Sequence, residues 1–331
     1  MSSHDYNRYK VAVSGGDMSV GVWEPGVIEP GPVPTVCVIH GITSNHLFFG
    51  GLVSALPGVR VIGPDLRGRA DSRLLPGPYG MRAHAEDVRR VIGEFVDSGP
   101  VTLVGHAMGA FVAMTLAAMA MESSDHRHGG PVLIDGGLPL PVPQTGNDAD
   151  RTSRIHPIDD LNDEDLDTDD LIAAVLGPSA DRLSMEFDSV EDYLAFFAAH
   201  PAFAEGIDPV AAESFVYDLA AKGEDRFQPS TSVDTMQADS ADMYTGADYR
   251  NSLERVMADG QKDVTFLFAE RDLLASEPGL YPPGLVESYS GIWPEMTVVE
   301  VAGTNHYDIL LTSAGIDACA AAIGTTLPQG E

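Results

Sequence analysis

The stretch VGHAMGAF, Val104 to Phe111, joins a β-rich run, VTLVGH (Val101 to His106), to an apolar helical pattern that starts within two residues. A chain that passes so abruptly from strand to helix needs a strained turn, and Gly105 and Gly109 leave room where a β-carbon would clash. The side chain between them, at position 107, is pushed into the open at the top of a sheet. It is an alanine, which offers no nucleophile.

On both sides of that turn, short apolar runs alternate with longer helical patterns, the signature of βαβ units and a mainly parallel sheet. YKVAV and MSVGVW are expected to open the chain as an antiparallel pair. TVCVIH (Thr35 to His40), VRVIGPD (Val59 to Asp65) and PVLIDG (Pro131 to Gly136) read as further strands. His46 to Leu56 and Met81 to Asp97 read as helices, the latter with Val88, Val91, Ile92 and Phe95 on one face.

After Leu138 the character changes. PLPVPQTGNDADRTSRIHPIDDLNDEDLDTDD is rich in proline and carboxylates, and Asp159 to Asp170 holds no basic residue, which marks a solvated face and lacks the ligand spacing of an EF-hand. LIAAVL, VEDYLAFFAAH, PVAAESFVYDLAAKG and YRNSLERVM then place apolar residues three and four apart without an intervening strand pattern. Strands return with DVTFLFAERD (Asp263 to Asp272) and MTVVEVAGTNH (Met296 to His306), and a helix over Ala314 to Ile323 follows. The expected organisation is a core of residues 1–138 and 258–331 interrupted by a helical cap, 139–257.

Composition limits the possibilities. A hydrophobic content of 44% is enough for a sizeable core, and a net charge of −31 repels nucleic acid phosphates and anionic lipid, so neither is an expected partner. MSSHDYNRYK lacks an apolar h-region, and no apolar run reaches membrane-spanning length, so a soluble, cytoplasmic protein is expected. Cys37 and Cys319, each in an apolar setting, read as core fillers rather than a disulfide. Neither metal-ligand spacing nor a phosphate loop occurs, so no metal or organic cofactor is expected.

The turn at 105–109 resembles the nucleophile elbow of the α/β-hydrolase family, G-x-S-x-G, commonly GHSMG, with Ala107 in the serine position. VIHGITSN also matches that family, whose corresponding loop donates to the oxyanion hole. So does PDLRGRADS, with Ala70 for the usual glycine. The resemblance covers the whole chain except the cap and implies a mostly parallel central sheet flanked by helices, with an inserted helical cap. It implies oxyanion donors in the backbone N–H groups of Ile42 and Met108, a general base in His306 of GTNHYD, and a triad acid near the end of TFLFAERD. Asp272 is the first choice there, although Ala269 stands where the family has glycine in G-x-x-D. Asp135, at the end of the preceding strand, is the alternative, since some members carry the acid at that point. His40 is expected to be a structural hydrogen-bonder.

The order 107, 272, 306 matches nucleophile, acid, base. What the resemblance implies is a serine hydrolase, nearly inactive as written, and the aromatic cap, with no concentration of basic residues, leans the expected substrate towards a moderately hydrophobic, uncharged ester or lactone. An amidase, thioesterase or carbon–carbon hydrolase is possible on the same fold. Loss of the nucleophile alone, with every other part retained, favours a deliberate Ser-to-Ala replacement over a natural, ligand-binding pseudoenzyme. Phe187, Tyr193, Phe196, Phe197, Phe203, Phe215 and Tyr217 are expected either to line a substrate pocket or to form the cap core.

Overall fold

In the computed structural model, residues 4–27, 33–123, 129–140, 181–223, 225–258 and 263–327 are described. The carboxylate-rich run 159–170 and the segment LIAAVL lie outside them. The strands are β1 (His4–Val13), β2 (Gly16–Pro25), β3 (Thr35–Ile39), β4 (Arg60–Pro64), β5 (Val101–His106), β6 (Val132–Ile134), the short pair β7 (Leu219–Ala221) and β8 (Phe227–Pro229), β9 (Thr265–Arg271) and β10 (Thr297–Asn305). Eight of them form one sheet in the order β1-β2-β4-β3-β5-β6-β9-β10. β1 pairs antiparallel with β2, and β2 with β4; every later pairing in that sheet is parallel.

β3, β5 and β6 are buried along their whole length, as expected of parallel strands covered by helices on both faces. Strand alternation divides their side chains between two cores. Cys37, Ile39, Leu103 and Leu133 pack into one core, while Val36, Val38, Val104, Val132 and Ile134 pack into the other. The first core is closed by α2 (Met81–Phe95) and α3 (Met108–Glu122), and the second by the short α1 (Gly50–Ser54) together with the last helix of the chain. α2 buries Met81, Ala85, Val88, Val91 and Ile92 at three- and four-residue spacing, a single apolar stripe. α3 is buried nearly all round because it lies between the sheet and further helices.

Between β6 and β9 run α4 (Val190–Ala198), α5 (Pro209–Tyr217), α6 (Val233–Thr245) and α7 (Ala247–Ala258). Their starts follow capping chemistry: the side chains of Ser189, Asp208 and Ser232 accept from Asp192, Val210 and Thr235 N–H, and Pro209 sits at the first turn of α5. Two features depart from the sequence expectation. The antiparallel hairpin of β7 and β8 interrupts the helices; its strands are only three residues long, too short to show periodicity. In addition, α7, expected in the cap, packs on α2 and α3 and buries Tyr249, Leu253 and Val256 in the first core. α8 (Pro283–Ile292) and α9 (Ser313–Thr326) complete the helical layers. The expected helix at His46 to Leu56 is a 3-10 turn, His46–Phe49, followed by α1.

Both cysteines are buried free thiols. Among the described residues, no helix is long and apolar enough to cross a membrane.

Candidate active site

The parallel register brings Ile39, Gly105, Leu133 and Phe266 side by side, so the C-terminal ends of β3, β5, β6 and β9 converge at one edge of the sheet. Loops leaving that edge build a cleft, the usual location of a site in an open α/β sheet. At its centre Ala107 has φ 51° and ψ −124°. Such a conformation is unfavourable for a residue with a side chain and costs about 1–3 kcal/mol. Its neighbours hold it there. The N–H of Ala107 donates to Ile134 O at 3.0 Å, and Ala110 N–H donates to Ala107 O at 3.0 Å. A β-carbon at Gly105 would overlap the backbone of Gly109 and Ala110, one at Gly109 would overlap Ile39 O, and one at Gly136 would overlap the carbonyl of Ala107. These three glycines let strand, helix and β6 loop close around position 107.

His306 follows β10, and its Nδ1–H donates to Asp135 Oδ2 at 2.6 Å. Asp135, itself at φ 45° and 1% exposed, also accepts from Ala269 N–H at 3.1 Å, and its own N–H is held by Leu267 O at 2.7 Å. The carboxylate therefore fixes the ring tautomer and leaves Nε2 of His306 as the acceptor. Asp272 is not brought to the histidine: its Oδ1 accepts from Leu274 N–H at 2.9 Å and Ser276 N–H at 2.8 Å, closing a local turn, and it is Asp135, the alternative, that meets His306. The physical reason is position: β6 lies between β5 and β9, so the residue that ends it reaches the space beside the elbow.

The two residues expected to supply backbone donors reach the same cleft. Ile42 and Met108 both line it, and neither N–H makes a hydrogen bond among the described residues. Gly41 lets its loop approach closely, since a β-carbon there would sit 3.2 Å from the Ala107 methyl. Met108 is also the first residue of α3, where the helix dipole favours negative charge.

Three histidines near the site serve the scaffold. His40 accepts from Leu66 N–H at 2.9 Å through Nε2 and donates from Nδ1 to Gly41 O at 2.8 Å, as expected of a hydrogen-bonder; burial pushes its pKa down to about 3. His106 donates from Nε2 to the carbonyl of His306 at 2.8 Å, and its ring lies 4.7 Å from the His306 ring. Burial, reinforced by His306, holds His106 neutral, with its pKa pushed down to about 3. His46, Asp65, Tyr6 and Tyr217 form a separate network behind the loop, in which Tyr217 O–H donates to Asp65 at 2.6 Å.

Arg69 lies within PDLRGRADS, but the sequence assigns it no role. Fully buried, it donates from Nε to Ile42 O at 2.9 Å and from Nη1 to Arg67 O at 2.9 Å, and its Nη2 lies 3.9 Å from Met108 Sδ. Its ion-pair partner is Asp239 of α6 at 2.5 Å, which also accepts from His84 at 2.9 Å and from Gly80 N–H at 2.6 Å. Burial pushes the Asp239 carboxyl up, but Arg69 and His84 outweigh it and hold it below the usual carboxylate range. One guanidinium thus ties Ile42 and Met108 to α6.

The cleft spans about 1170 Å³ of empty space, open solvent included. Its walls are mostly apolar, with Phe48, Phe111, Phe196, Phe197, Phe215 and Met243. The cap aromatics divide between the two expected roles. Phe196, Phe197 and Phe215 line the cleft, Phe187, Tyr193 and Phe203 fill the core behind it, and Tyr217 belongs to the Asp65 network. Among the described residues no group of three or more His, Cys, Asp or Glu side chains is placed to hold a metal.

A model of the alpha/beta hydrolase family matches residues 36–322. Lipase LipV of Mycobacterium tuberculosis is 35% identical over 83 residues, 25% of this chain and 31% of LipV. The chain aligns with only 26% to 31% of the length of the curated relatives it matches. Among solved structures, E-2-(acetamidomethylene)succinate hydrolase superposes with a TM-score of 0.67 at 21% identity, covering 97% of this chain and 100% of that one. A thioesterase domain from the curacin biosynthetic pathway superposes with a TM-score of 0.64 at 19% identity, covering 97% and 99%. At such identities these likenesses establish the fold alone.

Proposed function

Because the chain belongs to the alpha/beta hydrolase family, we propose that its native form carries serine at position 107 and hydrolyses a carboxylic ester or lactone of moderately hydrophobic character. The observation that carries this reading is the pair formed by His306 and Asp135 in a cleft that also presents position 107 and two backbone donors. A serine hydroxyl at 107 attacks the substrate carbonyl and gives its proton to Nε2 of His306. The buried Asp135 carboxylate stabilises the imidazolium that forms. The N–H groups of Ile42 and Met108 receive the developing oxyanion at the start of α3. His306 then returns the proton to the leaving alcohol, and water repeats the cycle on the acyl-enzyme. No cofactor enters this scheme.

With a methyl group at 107 the same site is nearly inert, since loss of the nucleophile costs on the order of a millionfold, about 8 kcal/mol of transition-state stabilisation. The retention of base, acid and donors supports a deliberate Ser-to-Ala replacement. Residues 1–138 and 258–331 as core and 139–257 as cap remain the proposed division, with α7 packed on the core side. We place the protein in the cytoplasm, without nucleic acid or membrane partners.

Ala107→Ser, assayed on activated short-chain esters and lactones, is expected to turn on hydrolysis. A folded revertant that stays silent across that panel refutes the reading and leaves a binding pseudoenzyme in its place.

A further inference from the structure

Two oppositely charged side chains of the cap, Arg182 and Asp218, line the apolar cleft. Arg182, in the helical turn ahead of α4, lines the cleft together with Ala107 and His306, and it is 5% exposed. Its guanidinium lies 5.2 Å from the centre of the Phe197 ring and 5.8 Å from that of Tyr193. Phe197 stacks on Phe215 at 3.7 Å, Phe215 approaches Phe48, Phe48 stacks on His106, and His106 contacts His306. A wall of rings therefore runs from the guanidinium to the base.

Among the described residues, hydrogen bonds are made at one end of this guanidinium. Nη1 donates to Tyr193 Oη and to Asp218 Oδ2, the latter at 3.3 Å. Asp218 has little accepting capacity left: Oδ2 also takes Tyr193 O–H at 3.1 Å, and Oδ1 takes Ser230 O–H at 2.5 Å. Ser230 in turn accepts from Ala70 N–H at 2.7 Å, which anchors the group to the core. The Nε–H and Nη2–H groups of Arg182 make no hydrogen bond among the described residues, and they are not among the sealed, unpartnered polar atoms. Arg182 itself lines the cleft. A buried guanidinium with free donors favours an oxygen acceptor, and a charge-assisted bond to one is among the stronger single contacts a pocket offers.

We propose that Arg182 determines substrate specificity: the substrate carries, at the end remote from its scissile carbonyl, an oxygen acceptor, a carboxylate or a second carbonyl, which the free edge of Arg182 receives. This rests on the reading of the cleft as an ester-hydrolase site, and it refines the expectation of an uncharged substrate. Asp218 offsets the charge of Arg182, and the chain as a whole is strongly acidic, so one acceptor group is accommodated and a multiply anionic ligand is not. Phe197 and Phe215 cover the apolar middle of the ligand.

The protein as it stands suits the test, because Ala107 allows ester binding without turnover. Calorimetric titration compares three ligands of similar length: monomethyl adipate, dimethyl adipate and methyl heptanoate. At least one acceptor-bearing ester is expected to bind about tenfold or more tightly than methyl heptanoate. Arg182→Met should abolish that preference and Arg182→Lys should retain part of it. A preference for monomethyl adipate identifies the carboxylate, and one for dimethyl adipate the carbonyl. Equal binding of all three, no binding, or a preference unchanged in folded Arg182→Met or Arg182→Lys overturns the proposal. Because the readout needs no chemistry, an Arg182-dependent preference alongside a silent Ala107→Ser protein would defeat the hydrolase reading alone.

Discussion

Replacing Asp135 by asparagine in the Ala107→Ser background tests the proposed triad acid directly. The carboxylate of Asp135 serves two donors, Ala269 N–H at 3.1 Å and His306 Nδ1–H at 2.6 Å. An asparagine has one carbonyl oxygen to offer. Leaving the strand N–H of Ala269 unpaired in a buried site costs about 1–3 kcal/mol, so the oxygen should stay on Ala269 and the NH₂ group should turn to the histidine. A donor facing Nδ1 forces the proton onto Nε2, and the ring then cannot accept a proton from the introduced serine hydroxyl. The wrong tautomer and the missing counter-charge in a triad of this kind lower turnover about ten-thousandfold, or about 5 kcal/mol. Asp272→Asn should change turnover less than about twofold, because an asparagine oxygen can still accept from Leu274 and Ser276 N–H. Initial rates on p-nitrophenyl acetate, with circular dichroism to confirm folding, decide between them. A larger loss from Asp272→Asn than from Asp135→Asn would refute the assignment and the tautomer argument behind it.

Arg69→Lys in the same background should lower kcat about tenfold with little change in KM, because an ammonium cannot hold Ile42 O, Arg67 O and Asp239 together. Arg69→Met should destabilise the fold by about 3–5 kcal/mol in urea titration, since it leaves Asp239 buried without its main counter-charge. Acid should weaken the fold well before carboxylates titrate. His40 and His106, each with a folded pKa of about 3 against about 6.5 unfolded, bind fewer protons in the native state, so their stability is present above about pH 6.5 and is lost as pH falls toward 3. Each contributes about 2 kcal/mol of loss between about pH 7 and pH 5. Asp87 and Asp218, whose carboxyls burial pushes up, pull the other way. The expected net loss is about 2–4 kcal/mol, read from urea midpoints at the two pH values.

The elements of the core were legible because they rest on local pattern. The strands VTLVGH and TVCVIH announce themselves as short apolar runs, and α2 as a stripe at helical spacing. The elbow was legible because Gly105 and Gly109 encode a backbone constraint within five residues. The hairpin β7–β8 was not, since three-residue strands are shorter than a detectable period. Nor was the packing of α7, whose apolar face is the same whether it covers a cap or a core.

Residue order alone was enough for the α/β architecture, the strained turn at 107 and the absence of a nucleophile between the two glycines. Which of Asp135 and Asp272 meets His306 needed the folded chain, because both end a strand and both can form a turn. Strand order put the shorter β6, and not β9, next to the elbow. Folding also assigned the roles of Arg69 and Arg182. Their partners lie at positions 42, 108 and 239 for one and 193 and 218 for the other, and contacts made across such separations leave no local trace in the chain.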